Sequence, residues 1–158
     1  MKDSLRTGIS FGLTSAVITT LGLMVGLHSG THSKIVVLAG ILTIAIADAF
    51  SDALGIHVSE EAENKHTIKQ IWAATISTFS AKFLFAMTFV VPVILFPLST
   101  AIVVSLIWGL SILSLLSYFI AKSQSEPAWK IVGEHLMIAI VVIGITNWVG
   151  DWIGKLNA

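Results

Sequence analysis

Asp48 and Asp52 stand four residues apart in an apolar run from Leu38 to Val58, and four residues is one helical turn. A carboxylate facing hydrocarbon costs roughly 2.5 kcal/mol or more, so two on one helix face are expected to look into protein or a wet cavity. On a helical wheel Asp48, Ser51, Asp52, Gly55, Ser59 and Glu63 share that face, with His57, Glu60 and Glu61 roughly opposite. Divalent cations take several oxygen ligands, with imidazole added for Fe, Mn or Zn. The pattern reads as a cation path: Glu60, Glu61, Glu63 and His57 collect the ion, Asp48 and Asp52 hold it deeper, and Ser51 assists. For Glu60, Glu61 and Glu63 the plainer alternative is a solvated helix end.

Lys82 is the other charge inside an apolar segment. At 1.5 Å per residue it lies ~18 Å into its helix and Asp48 ~15 Å into its own, measured from the same side, so the two can pair. A Lys facing two Asp leaves one net negative charge, which suits exchange of a proton for a cation. The alternative is an interhelical salt bridge that only orients the bundle. Glu134 and His135 are expected to snorkel or cap, and Asn147 and Asp151 to line an exit or do nothing chemical. His28 and His32 are either a weak metal site or solvated loop histidines, and Met24 and Met87 either soft ligands or packing.

These residues have to be positioned by a chain that is 55% hydrophobic and 11% charged over 158 residues, with a mean hydropathy of +0.91. Such values lie far outside the soluble range and predict an all-α, polytopic membrane protein. A bilayer core of about 30 Å needs about 20 apolar residues per helix. Five segments meet that, at about 9–27, 35–58, 71–96, 101–121 and 131–153, within a single transmembrane domain spanning 1–158. Gly8, Gly12, Gly22 and Gly26 give the first helix two G-x-x-x-G spacings, which suit an interior or interface position. The fourth segment is the most uniformly apolar and is expected to face lipid most. Residues 28–34 and 122–130 are read as loops, residues 59–70 contain no helix breaker and are expected to extend the second helix into water before a turn at about 64–67, and Pro92 and Pro97 bracket the far end of the third segment.

Lys2, Arg6, Lys65, Lys69, Lys122 and Lys130 fall on the side of the N-terminus, against Lys34 and Lys155 on the other. The positive-inside rule then makes the N-terminus cytoplasmic. Residues 1–6 resemble a signal-peptide head, but the apolar segment is too long and no cleavage site follows, so retention is expected. Zero net charge with scattered basic residues excludes a nucleic-acid partner, and the lack of cysteine excludes disulfides, thiolate metal sites and Cys nucleophiles.

Residues 11–27, Phe-Gly-Leu-Thr-Ser15-Ala-Val-Ile-Thr-Thr-Leu-Gly-Leu-Met-Val-Gly-Leu, taken with 48–59, Asp-Ala-Phe-Ser-Asp-Ala-Leu-Gly-Ile-His-Val-Ser, resemble the vacuolar iron transporter family. That family reads Gly-x-Asn-Asp-Gly-Ile-x-Thr-Thr in its first helix and Gly-Ala-Leu-Ser-Met-Ala-x-Gly-Glu-Tyr-x-Ser in its second. The resemblance implies a five-helix homodimer that moves Fe²⁺ or Mn²⁺ out of the cytosol in exchange for protons, along a path between subunits lined by the first two helices. Three positions depart from it: the family's first-helix Asp is Ser15 here, its second-helix Met is Asp52 and its second-helix Glu is Ile56. The cytoplasmic metal-collecting insert is also absent, reduced to residues 59–70. Asp48 and Asp52 compensate in charge and substitute hard oxygen for thioether, which moves preference toward Mn²⁺, Ca²⁺ or Mg²⁺. Ser15 then becomes a secondary ligand.

The expected function is proton-coupled export of a divalent metal from the cytosol by a homodimer. Its partners are the metal, protons and membrane lipid; it has no permanently bound cofactor, and its location is the cell membrane if the source is prokaryotic. Two alternatives are a non-transporting metal sensor or scaffold of the same fold, and a membrane-embedded metal-dependent enzyme. No nucleophile or general-base constellation beyond the His/Glu cluster is recognisable, so the chain is not expected to be an enzyme.

Overall fold

A computed structural model describes residues 1–156 and contains no strand among them. Six helices follow one another: α1 (Lys2–Thr31), α2 (Lys34–Glu63), α3 (Ile68–Thr88), α4 (Val90–Leu95), α5 (Leu98–Gln124) and α6 (Ala128–Leu156). With α3 and α4 taken together, five helical stretches are long and apolar enough to cross a membrane. Each overruns its apolar segment at both ends, except at the far end of the third, because the overrunning residues contain no proline and helix propagation costs little once begun.

The connections after α1 and α5 are correspondingly shorter than the sequence suggests, whereas α2 runs on to Glu63 and turns over 64–67 as expected. Residues 28–31 are helical, so the turn between α1 and α2 is only His32 and Ser33. His32 adopts the left-handed conformation (φ 50°) that closes α1, and the Ser33 side chain accepts from the Val36 N–H to open α2. Asn64 closes α2 in the same left-handed way, and Thr67 with Gln70 forms a reciprocal capping box on α3. The break at Phe89 has a cause three residues later. Pro92 lacks an N–H, and its ring would strike the Thr88 carbonyl in a continuous helix. Lys34 reaches the end of α4 and donates to the carbonyls of Ile94 (3.1 Å) and Phe96 (3.0 Å), satisfying groups that the helix end leaves free.

Helix α1 runs through the middle, packed against α2, α3, α5 and α6. Its two glycine spacings serve two different neighbours. A Cβ on Gly8 would lie 2.4 Å from the Ala74 carbonyl oxygen, and one on Gly12 would lie 2.6 Å from that of Thr78, so the N-terminal pair lets α3 approach. Gly22 and Gly26 face Thr146 of α6, and a Cβ on Gly150 would sit 2.2 Å from the Gly26 carbonyl oxygen. Because backbone cannot step aside as a side chain can, Gly150→Val is expected to cost at least the upper part of the usual ~1–3 kcal/mol for overpacking. It should lower the thermal midpoint of the purified protein well below that of Gly144→Val, since Gly144 faces open space.

Between these contacts lies one apolar core that includes Val17, Leu21, Met24, Ile41, Phe89, Val93 and Leu113. Met24 belongs to this packing. The expectation that the fourth segment is the most exposed is corrected: α6 is the least buried of the five, and α5 buries Ala101, Ser105, Gly109, Leu113, Ser117 and Ala121. Those residues recur every four positions and, Leu113 apart, are small, and it is Gly109 among them, rather than mean apolarity, that brings α5 against Leu21 and Phe89.

Candidate cation site

Lys82 is the largest fully buried side chain, with 1% of it exposed. Its position follows from the glycines of α1: Gly12 lets the Lys82 backbone lie close beneath α1, and the side chain then extends between α1 and α2. Its ammonium forms ion pairs with both Asp48 and Asp52 and donates to Ser15 Oγ at 2.8 Å. Three oxygens from two helices thus converge on one cation supplied by a third. Two carboxylates and one ammonium carry a net charge of −1.

The carboxylates are reachable where the ammonium is not. Asp48 is 26% and Asp52 18% exposed. Asp48 and Ser51 stand at the end of a groove of about 700 Å³ between α1 and α2, lined otherwise by Thr19, Leu23, Leu27 and the α2 residues Val36, Ala39, Gly40, Thr43, Ile44 and Ala47. From Val36 to Asp48 the groove runs ~18 Å along α2. Apart from its threonines it is apolar until it meets the acid.

The single polar face expected along α2 divides. The helix buries Val37, Ile41, Ala45, Ala49 and Ala53, which turns Asp48 and Asp52 toward Lys82 and leaves Ser51, Gly55, Ser59 and Glu63 exposed. Ala39, Thr43, Ala47, Ser51, Gly55 and Ser59 form an exposed row of small residues at every fourth position. The wheel placed acids and small residues together because they differ by only a fraction of a turn. Packing against α3 separates them.

The proposed collection cluster is not assembled. Glu60 pairs with His66 Nδ1 at 2.7 Å, Glu61 lies 3.9 Å from His57 Nε2, and Glu63 is exposed at the helix end. Among the described residues no three His, Asp or Glu side chains come together as a metal-binding group. His57, Glu60 and Glu61 share one helix face, but the turn and α3 supply each with its own neighbour, and Glu63 points to another face. His57 instead packs edge-on to Trp72 and pairs through Nδ1 with Thr75 Oγ1 at 2.9 Å. Thr75 Oγ1 already donates to the Ile71 carbonyl (2.8 Å), so it accepts from His57 Nδ1–H, which places a proton on Nδ1.

Two polar contacts escaped the sequence reading. His135 Nδ1 meets Ser117 Oγ at 2.7 Å, joining α6 to α5. Ser29 Oγ donates to the Asn147 carbonyl (3.1 Å) and to Asp151, joining α1 to α6, so Asp151 is part of a clamp. Neither serine carries a local signal, because its partner lies in a distant helix. The chain matches no protein-family model, and a search of curated proteins finds no match.

Proposed function

We propose that this chain is an integral membrane protein with a cytoplasmic N-terminus that exports a divalent cation, Mn²⁺ or Fe²⁺, from the cytosol in exchange for protons. One observation carries the reading: Asp48, Asp52 and Ser15 converge on a single buried cation, the Lys82 ammonium. The ammonium stands where a metal ion would be held by the same oxygens. An all-oxygen set from α1 and α2 favours a hard ion, so Mn²⁺ ranks ahead of Fe²⁺.

The exchange follows from charge. A unit and a double charge 4 Å apart repel by about 8 kcal/mol at an effective dielectric of 20, so a metal held by both carboxylates expels the Lys82 proton. The site then passes from −1 to neutral. When the metal leaves, the carboxylates again favour the ammonium and a proton returns. Asp48 receives and releases the ion along the α1–α2 groove, and Lys82 keeps the site from remaining a bare pair of acids between turnovers.

The groove is open along its side, and a second copy is its proposed cover. The exposed row Ala39, Thr43, Ala47, Ser51, Gly55 and Ser59 beside it has the spacing by which helices approach closely in lipid. Laid against its counterpart it closes the groove over Asp48. Because the chain has no cysteine, Ala47→Cys should give a disulfide-linked dimer on mild oxidation in the membrane. Val103→Cys, on the exposed side of α5, should stay monomeric. Equal cross-linking of both, or of neither, would count against this interface.

A second reading is favoured by the same ammonium. A chain that already fills its site with Lys82, and carries Ser15 where the family it resembles has Asp, suits a sensor or scaffold that binds without transport. Mn²⁺ uptake by proteoliposomes separates the two.

A further inference from the structure

We infer that His28 and His32 form a second metal site, for a borderline divalent ion such as Cu²⁺, Ni²⁺ or Zn²⁺, at the end of α1 remote from the N-terminus. The inference is independent of the transport reading. The two rings lie edge to face with centres 5.5 Å apart. Two imidazoles on one tetrahedral ion, with metal–nitrogen bonds of about 2.0–2.1 Å and nitrogens about 1.1 Å from each ring centre, have centres about 5.2 Å apart. The observed spacing needs only a small adjustment to become that of a chelate. His28 Nδ1 is buried and has no hydrogen-bond partner, so one ring nitrogen is held out of water with nothing to bind.

The backbone that carries the pair is fixed. His32 N–H donates to the His28 carbonyl at 2.9 Å, which ties the two residues together through the left-handed cap. Thr31 Oγ1 donates to the Leu27 carbonyl at 2.7 Å and accepts from Ser33 N–H at 3.2 Å. Ser29 anchors the same turn to α6 through Asn147 and Asp151. Such a turn loses little freedom when a metal binds, which is the condition for a two-residue site to hold an ion at all. Among the described residues no third His, Asp or Glu completes a cluster, so water fills the remaining positions. Water-completed coordination suits reversible binding. The ligand chemistry, nitrogen alone, differs from the oxygen set around Lys82 and selects against Ca²⁺ and Mg²⁺.

Cu²⁺ is the probe, titrated to one equivalent into the full-length protein in detergent and read by electron paramagnetic resonance. The expected spectrum shows superhyperfine coupling to two nitrogens. His28→Gln and His32→Gln should each lose one nitrogen and weaken binding by at least the roughly tenfold that even outer-shell partners of metal ligands contribute. Asp52→Asn, which leaves Asp48 to pair with Lys82, should keep both nitrogens. An unchanged spectrum and affinity in His32→Gln, whose exposed position makes misfolding a small risk, would overturn the inference. So would the absence of Cu²⁺ binding by the wild type, or loss of the signal in folded Asp52→Asn protein.

Discussion

Asp52→Asn is expected to abolish the proposed metal flux, by about a hundredfold or more, and to leave the protein folded. Both halves follow from the arithmetic at Lys82. The substitution removes one of the two carboxylates proposed to hold the metal, and losses of 10–100-fold already attend changes to groups that only support a ligand. It also leaves Asp48 to pair with the ammonium, so the site becomes neutral and no buried charge is stranded. Flux of Mn²⁺ into vesicles, measured beside size-exclusion profiles of the same preparations, checks both. Normal flux in a folded Asp52→Asn protein would contradict the role given to this carboxylate.

The largest expected effect on stability comes from the other partner. Lys82→Met removes the ammonium and leaves two carboxylates facing each other with only Ser15 beside them, and breaking a buried ion pair in this one-sided way costs about 3–5 kcal/mol. Their partial exposure, 26% and 18%, admits water and protons and sets the expectation at the lower end, about 3 kcal/mol. Replacing all three charges, Lys82→Met with Asp48→Asn and Asp52→Asn, should recover most of that loss, because apolar or neutral groups of similar size often substitute for buried ion pairs at no cost. Thermal unfolding in detergent distinguishes the cases. A Lys82→Met protein as stable as the wild type would mean that the carboxylates do not depend on the ammonium.

How much of this was legible beforehand differs from element to element. The five apolar stretches announce themselves by length and composition, and Gly8, Gly12, Gly22 and Gly26 announce close packing by their spacing. That the first pair meets α3 and the second α6 lies outside any local signal, since Ala74 and Thr146 are far along the chain. Asp48 and Lys82 share a depth that helical rise alone predicts, and the ion pair satisfies it. Ser15 entered only through a family resemblance, yet it is the third oxygen on the ammonium.

The misreadings have physical causes as well. His57, Glu60 and Glu61 do share a helix face, with Glu63 on another, but the chain around them gives Glu60 to His66 and His57 to Thr75 and leaves Glu63 exposed, so no cluster forms. Pro92 marks the break in the third segment, yet the chain gives way at Phe89, one residue beyond the carbonyl the ring would strike. The fourth segment's high apolarity concealed a regular row of small side chains, and that row packs it inward.

The most direct test of cation exchange at Lys82, Asp48 and Asp52 is Mn²⁺ uptake into proteoliposomes whose lumen is acidic. Uptake should rise with the proton gradient, fall when the gradient is collapsed, and vanish in both Asp48→Asn and Asp52→Asn. Absence of Mn²⁺, Fe²⁺, Ca²⁺ and Mg²⁺ flux from folded wild-type protein, or flux that survives both substitutions, would contradict it.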